Sequence, residues 1–82
     1  MNLEKGMVVK SLCGKDKNKF FCVLDKQDDY VLYCDGCVRK LEKPKRKKIK
    51  HVQVTRVKLQ TEILQVNKHI KKALTGLNIV EE

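Results

Sequence analysis

The sequence predicts a mostly β fold, a small five-stranded barrel followed by a C-terminal α-helix. Residues 6–41 hold short apolar runs separated by turn residues, whereas apolar residues near the C-terminus recur at helical spacing. With 82 residues and four aromatic side chains, the core must consist largely of Val, Leu and Ile, which suit a pleated sheet. We expect no buried catalytic cleft in a chain of this size.

Four strands are predicted before residue 42. They span residues 7–12, 20–24, 30–33 and 38–41, and the turn sequences GKDKN, DKQDD and DG separate them. Pro44 is expected to close this meander, because its nitrogen cannot donate to a central ladder. A fifth strand is predicted at residues 49–54, where it would hold the lysines around it at the edge of the barrel.

The C-terminal part of the chain changes period. Six apolar residues recur at steps of four and three, which places them on one face of a helix: Leu59, Ile63, Val66, Ile70, Ala73 and Leu77. Thr61 and Asn67 are both N-cap types, so the helix either begins near Gln60 or is broken near Asn67. Gly76 is predicted to end it. The chain therefore divides into a barrel at residues 1–56 and a helical extension at residues 57–82 that packs on it.

The four cysteines raise the question of a metal site. The first residues lack the apolar run of a signal peptide, and no segment approaches the ~20 apolar residues of a membrane span, so we expect a cytoplasmic protein with reduced thiols. Cys34 and Cys37 have the spacing of a zinc-ligand pair, but the Asp-Gly between them is also a strong hairpin signal. We interpret all four as core or strand-end residues without a metal, and a zinc site is the alternative: Cys13, Cys22, Cys34 and Cys37.

The positive charge is concentrated in the second half of the chain. The net charge is +9. Residues 1–42 hold eight Lys/Arg and seven Asp/Glu, a net of +1, whereas residues 43–82 hold eleven and three, a net of +8. Charge gathered in one segment creates a local potential that attracts polyanions. A phosphate backbone is therefore the expected partner.

Two sets of residues resemble a known family. One runs along the first two strands and their loop: Gly6, Val8, Val9, GKDKNK at 14–19, Phe21 and Val23. This order resembles the KOW motif, a strand-loop-strand element of several ribosomal proteins and of NusG-type transcription factors. The other set is YVL at 30–32, DG at 35–36, RK at 39–40, EKPK at 42–45 and KHVQ at 50–53. This second set closely resembles the small bacterial KOW-domain RNA-binding proteins, which are similar to a large-subunit ribosomal protein of archaea and eukaryotes.

The resemblance covers residues 3–54 and implies an SH3-like barrel of the KOW type that binds RNA without catalysis. Two features depart from the family pattern. Asn18 stands where the family most often has glycine, and asparagine tolerates the positive φ of a tight turn. The cysteines are not part of the pattern.

Two neighbouring basic surfaces are predicted to bind RNA. The first is the loop at 14–19, whose alternating lysines can point to one side while Asp16 caps the turn's own amides. The second is the basic edge at 45–51, with Arg39 and Lys40 between the two surfaces. The predicted contacts are Lys15, Lys17, Lys19, Arg39, Lys40, Lys45, Arg46, Lys47, Lys48, Lys50 and His51. For both surfaces the alternative is a solvated charge run.

The adjacent aromatic residues Phe20 and Phe21 must face opposite sides of a strand. The family pattern places Phe21 in the core. Phe20 then either stacks on an unpaired base or is covered by the C-terminal helix, and we favour the second.

We expect a non-catalytic protein that contacts structured ribosomal RNA in translation or ribosome assembly. It would need no cofactor, be monomeric when free, and meet ribosomal proteins as further partners. His51 and His69 have no Asp, Ser or Cys arranged with them as a catalytic pair. A transcription-associated nucleic-acid-binding accessory and a protein-interaction module are the alternatives.

Overall fold

Five antiparallel strands and one C-terminal helix make up the fold. A computed structural model describes residues 3–80 of the chain, with side chains described for residues 3–77. The strands are β1 (Met7–Ser11), β2 (Phe20–Gln27), β3 (Tyr30–Cys34), β4 (Lys45–Lys48) and β5 (Val52–Lys58), and the helix is α1 (Asn67–Val80). Short 3-10 turns at Ile49–His51 and Thr61–Gln65 precede β5 and α1. No helix in the described part is long and apolar enough to cross a membrane.

The strands form one sheet in the order β4-β3-β2-β1-β5. The chain therefore crosses from one edge of the sheet to the other between β4 and β5, through the 3-10 turn. These two strands stay at opposite edges, so the sheet is open and the predicted closed barrel is not formed. The loop after β1 is nevertheless tied to β4, because the Lys47 Nζ donates to the Cys13 carbonyl at 2.9 Å.

One face of the sheet carries a core built from the strands and the segments beside them. Its buried residues are Leu3, Val9, Phe21, Val23, Val31, Tyr33 and Val52. The rings of Phe21 and Tyr33 stack with their centroids 4.2 Å apart. Leu3 from the N-terminal segment and Ile49 from the 3-10 turn pack onto this face. The sheet and its flanking segments thus bury their own apolar surface, which is the main source of stability for so small a chain.

The opposite face is covered by the C-terminal segment. Val8, Phe20, Cys22 and Cys34 of the sheet form a second buried cluster with Leu64, Ile70 and Leu74. Phe20 is only 6% exposed and lies in this cluster. The prediction that the helix covers Phe20 is therefore confirmed, and a base-stacking role is wrong. The expected position of Phe21 in the core is also confirmed.

The first three strands were predicted correctly to within a few residues, but the fourth was not. Residues 38–41 lie in an irregular loop, and β4 follows Pro44 instead of preceding it. The Asp35 Oδ1 accepts hydrogen bonds from the backbone N–H groups of Cys37 and Arg39, at 2.9 and 2.8 Å. Such local bonds compete with strand pairing. The predicted Asp-Gly hairpin is therefore wrong, and Cys37 is an exposed loop residue instead of a strand end.

The later elements differ from the predictions in three ways. The predicted strand at 49–54 begins only at Val52, since the preceding residues form the 3-10 turn. The helix is broken before Asn67, which was one of the two open alternatives. Gly76 does not end the helix, which continues to Val80. A glycine inside a helix costs about 1 kcal/mol, an amount that packing elsewhere can offset.

The loop at 35–43 is held against the start of α1. Gly36 has a φ of +76°, and a Cβ at this position would lie 2.1 Å from the Asn67 carbonyl oxygen. The Asn67 side chain accepts a hydrogen bond from the Leu41 N–H at 2.8 Å and donates one to Glu42 at 2.7 Å. The start of α1 therefore holds the loop near both of its ends, at Gly36 and at Leu41 and Glu42. Only glycine fits at the first of these contacts.

Gly36→Ala should destabilise the protein by about 2 kcal/mol or more, because alanine resists positive φ and its Cβ would collide with Asn67. Urea unfolding of the purified variant measures this. Gly76→Ala is the matched control, since nothing lies within 4 Å of a Cβ there. It should stabilise α1 by about 1 kcal/mol. Equal effects at the two glycines would contradict the proposed contact.

Two buried thiols face each other across β2 and β3. Cys22 pairs with Cys34 in the strand register, and both are free and buried. Burial, followed by the neighbouring Cys34 thiol, raises the pKa of Cys22 to about 12. Burial, followed by the Asp35 carboxylate, raises the pKa of Cys34 to about 11. No group of three or more His, Cys, Asp or Glu within residues 3–80 is placed to hold a metal ion.

Raising the pH above about 8.5, the ordinary pKa of a thiol, should destabilise the fold. Because both pKa values are higher in the folded protein, this contribution to stability is complete below that pH and is lost as the pH rises toward the folded values. The free energy of unfolding should fall by up to about 1.4 kcal/mol per pH unit for each thiol. Urea titrations between pH ~8 and ~10, below the ordinary pKa of tyrosine, measure the slope.

A double variant, Cys22→Ala with Cys34→Ala, is the control for this slope. It should be less stable at neutral pH, because two buried side chains become smaller. Its stability should nevertheless decline less steeply with pH. An unchanged slope would show that other groups cause the alkaline effect.

Candidate functional site

A groove lies between the 35–43 loop and strand β4, and five cationic side chains line it. They are Arg39, Lys40, Lys43, Lys45 and Arg46, with Val38 and Pro44 completing the lining. None of the lining residues is acidic. The two apolar residues give the groove a partly nonpolar surface between its cations. We call this site the basic groove.

Most of the charge in the basic groove is not neutralised by the acidic residues that the structure describes. Within residues 3–80 only two ion pairs form, one between Arg39 and Asp16 and one between Lys58 and Glu4. Four of the five groove cations therefore have no carboxylate partner in the described structure. Like charges held close together repel one another, so a bound anion would relieve this repulsion.

Strand β4 consists of the four residues KRKK and presents them alternately to its two faces. Lys45 and Lys47 are half-buried, whereas Arg46 and Lys48 are exposed. The ammonium of Lys47 donates to the Cys13 carbonyl, so this lysine links the first loop to β4. Arg46 stacks on the Tyr30 ring, with its guanidinium carbon 3.9 Å from the ring centroid. Stacking of this kind restrains the guanidinium plane and leaves its N–H edge free to donate.

The carboxylate of Asp16 joins the first loop to the loop of the basic groove. Asp16 is 6% exposed. Its Oδ2 accepts hydrogen bonds from the Tyr33 hydroxyl at 3.0 Å and from the Arg39 Nε at 3.3 Å. The prediction that Asp16 caps its own turn is therefore wrong. Arg39 is held at the groove through its Nε, and its terminal nitrogens make no hydrogen bond within residues 3–80.

Burial, together with the hydrogen bond and negative charge of Asp16, raises the pKa of Tyr33 well above its ordinary range. The hydroxyl therefore stays protonated and remains a donor to Asp16 at neutral pH. This interaction is buried among the strands, whereas the arginine that shares the carboxylate reaches the surface. The structure thus connects a surface cation to the core through a single carboxylate.

The predicted contact residues fall into separate groups. The basic groove brings together Arg39, Lys40, Lys45 and Arg46. Lys48 and Lys50 line a different groove that also holds Asp28 and Asp29, and its charge is therefore mixed. His51 is half-buried, and its carbonyl accepts the Leu12 N–H at 2.9 Å.

The backbone turn of the first loop includes Asn18. Asn18 has a φ of +70°, so the positive φ expected of it is confirmed. Lys15, Lys17 and Lys19 are exposed there. Lys19 lines a third groove, between this loop and α1, and is not part of the basic groove.

Lys43 lines the groove, although it is not one of the predicted contact residues. Its sequence signal was the basic run at residues 43–50, which also contains Lys45 and Arg46. Pro44, between Lys43 and Lys45 in the chain, lines the groove as well.

Comparison with known proteins leaves the site to be interpreted on its own geometry. A scan against protein-family models and a search of curated proteins found no match to this chain. Any function assigned to it therefore rests on its residues and on the groove that they form.

Asp16→Ala should lower the free energy of unfolding by about 3 kcal/mol, because the buried Tyr33 hydroxyl and the Arg39 guanidinium both lose their acceptor. Urea unfolding at neutral pH measures the change. Glu4→Ala is the control, since it removes the exposed ion pair with Lys58. Exposed pairs contribute little, so this variant should stay close to the parent. Similar losses in both variants would show that Asp16 does not join the two loops.

Proposed function

We propose that this chain is a non-catalytic RNA-binding protein that contacts structured ribosomal RNA in translation or ribosome assembly. The basic groove carries this proposal. Five cations meet on one surface with no acidic residue lining it, and only Arg39 is ion-paired within residues 3–80. A phosphate backbone supplies the matching negative charge, and release of its counterions drives the association.

We propose that the open sheet is a KOW-type, SH3-like fold in which the edge strands β4 and β5 do not pair with each other to close a barrel. The open five-stranded sheet buries one face among its own strands and flanking segments, and its first loop has the residues that resemble the KOW motif. That loop lies next to the basic groove, because Asp16 and Arg39 connect them. The two surfaces of the proposed RNA site are therefore connected by a side-chain contact.

The aromatic side chains favour recognition of backbone and shape over recognition of bases. Phe20, Phe21 and Tyr33 are buried, and Arg46 lies over the ring of Tyr30. Of the aromatic rings within residues 3–80, three are therefore unavailable for stacking on an unpaired base, and the fourth has one face occupied by Arg46. Double-stranded RNA is recognised mainly through its shape, phosphates and 2′-hydroxyls. We therefore expect the protein to bind structured RNA and to show little preference for the RNA sequence.

The two arginines of the groove have distinct roles in this proposal. Arg46 is oriented by Tyr30 and can donate two parallel hydrogen bonds to one phosphate. Arg39 uses its Nε for Asp16 and has its terminal nitrogens for a phosphate. The lysines add charge with less geometric selection. We therefore expect Arg46 to contribute more to binding than any one lysine.

In-cell crosslinking of the tagged protein should recover ribosomal RNA, with the sequence reads concentrated at one region. Lys43→Gln with Arg46→Gln should weaken recovery, because two groove contacts are lost.

The same variant can be tested with purified protein and a structured RNA fragment. The slope of the logarithm of the binding constant against the logarithm of the salt concentration should become shallower by about 1.8, or about 0.9 for each phosphate contact.

Lys5→Gln with Lys72→Gln is the matched control, since it removes equal charge outside the groove. It should retain the crosslinking site. Reads scattered over many transcripts, or recovery of DNA alone, would refute the ribosomal assignment. Equal weakening by both double variants would refute the basic groove as the binding site.

A further inference from the structure

The groove that Lys19 lines lies on the other side of the loop that borders the basic groove. Lys19 and Lys71 are exposed at its rim, and the buried side chains of Phe20 and Leu74 contribute to its lining. Its lining also includes Asp35 and Cys37. We call this site the helix groove, because α1 forms one of its sides.

The two grooves are separated only by the loop at 35–40. Asp35 and Cys37 line the helix groove, whereas Val38, Arg39 and Lys40 line the basic groove. Cys37 is exposed and Val38 is 68% exposed, so these two small uncharged residues form the top of the ridge between the grooves. Cys37 and Val38 carry no charge, so a chain of phosphates that crosses the loop at these two positions meets no like charge until it reaches the lining of the helix groove, which includes Asp35.

The ridge and the helix keep a fixed relative position. A Cβ on Gly36 would lie 3.0 Å from the backbone nitrogen of Lys71 as well as against the Asn67 carbonyl. The backbone of Lys71 therefore lies on the turn of α1 that contacts the ridge. Because the Asn67 side chain also holds Leu41 and Glu42, both grooves are built on the same junction.

The charge of the helix groove is also available to a ligand. Neither Lys19 nor Lys71 forms an ion pair within residues 3–80. The one carboxylate in the lining is that of Asp35, whose Oδ1 already accepts two backbone N–H groups of its own loop. The two ammonium groups can therefore attract a phosphate in spite of Asp35.

We propose that the helix groove is a second phosphate-binding site for the RNA that occupies the basic groove. One RNA backbone crosses the ridge at Cys37 and Val38 and contacts Lys71 and Lys19 beyond it. This inference rests on the proposed RNA-binding function. It assigns to α1 a direct part in binding, through Lys71.

Lys71→Gln should weaken binding of long RNA duplexes and leave short ones unaffected, because a short duplex can occupy the basic groove alone. The probes are fluorescently labelled blunt RNA duplexes of increasing length, titrated at several salt concentrations. For the long probes the log-log salt slope should fall by about 0.9, as expected for one lost phosphate contact. Lys72→Gln is the matched control, because Lys72 is the next residue of α1 and does not line the groove. It should leave the slope unchanged.

Cys37 provides a second readout that needs no substitution. It is exposed on the ridge, whereas Cys22 and Cys34 are buried and Cys13 is half-buried on another loop. Long duplexes should slow alkylation of Cys37 by iodoacetamide several-fold, as measured by mass spectrometry of the Cys37 peptide. Short duplexes should slow it much less.

The outcomes separate this inference from the proposed function. If the parent binds RNA and Arg46→Gln weakens binding, but Lys71→Gln behaves like Lys72→Gln, the helix groove is not a phosphate site. Full reactivity of Cys37 at saturating long duplex would likewise refute the crossing. If the parent binds no RNA probe of any length, the proposed function fails and this inference fails with it.

Discussion

The carboxylate of Asp16 makes the interactions on which the position of Arg39 in the basic groove depends. It accepts the buried Tyr33 hydroxyl and the Arg39 guanidinium, so it connects the core, the first loop and the basic groove. A buried carboxylate requires such donors, because an unpaired charge in the interior is costly. The position of Arg39 is thereby set by the folding of the core instead of by solvent-exposed contacts. Fixing a cation before its ligand arrives reduces the entropy lost on binding.

The concentration of charge beside the basic groove also protects the edge of the sheet. Strand β4 lies at an edge and consists of three lysines and one arginine. Exposed edges can pair with other chains, and cationic side chains on an edge oppose this. Lys47 shows that the same strand also stabilises the fold, since its ammonium binds the Cys13 carbonyl. A single strand therefore contributes to solubility, to cohesion of the sheet and to the proposed binding.

The sequence predicted β1, β2 and β3 well, because they contain Val, Phe, Leu and Tyr between evident turn residues. It did not predict β4, whose residues KRKK carry no apolar signal and which is held by backbone pairing with β3. Because β4 was not predicted, its register against β3 was unknown. The sequence therefore could not show that Arg46 is exposed whereas Lys47 contacts the first loop. The role of Asp16 depends on Tyr33 and Arg39, which are distant in sequence. Such a contact has no local pattern.

The junction between Gly36 and Asn67 also determines when the groove can form. The loop at 35–43 receives its anchors from a residue more than twenty positions later, so these contacts are long-range. During synthesis the sheet residues emerge first, and the loop has no support until the start of α1 has left the exit tunnel. A nascent chain would therefore carry an unassembled groove. On the proposed function, affinity for RNA would be acquired late, after the strands have already been made.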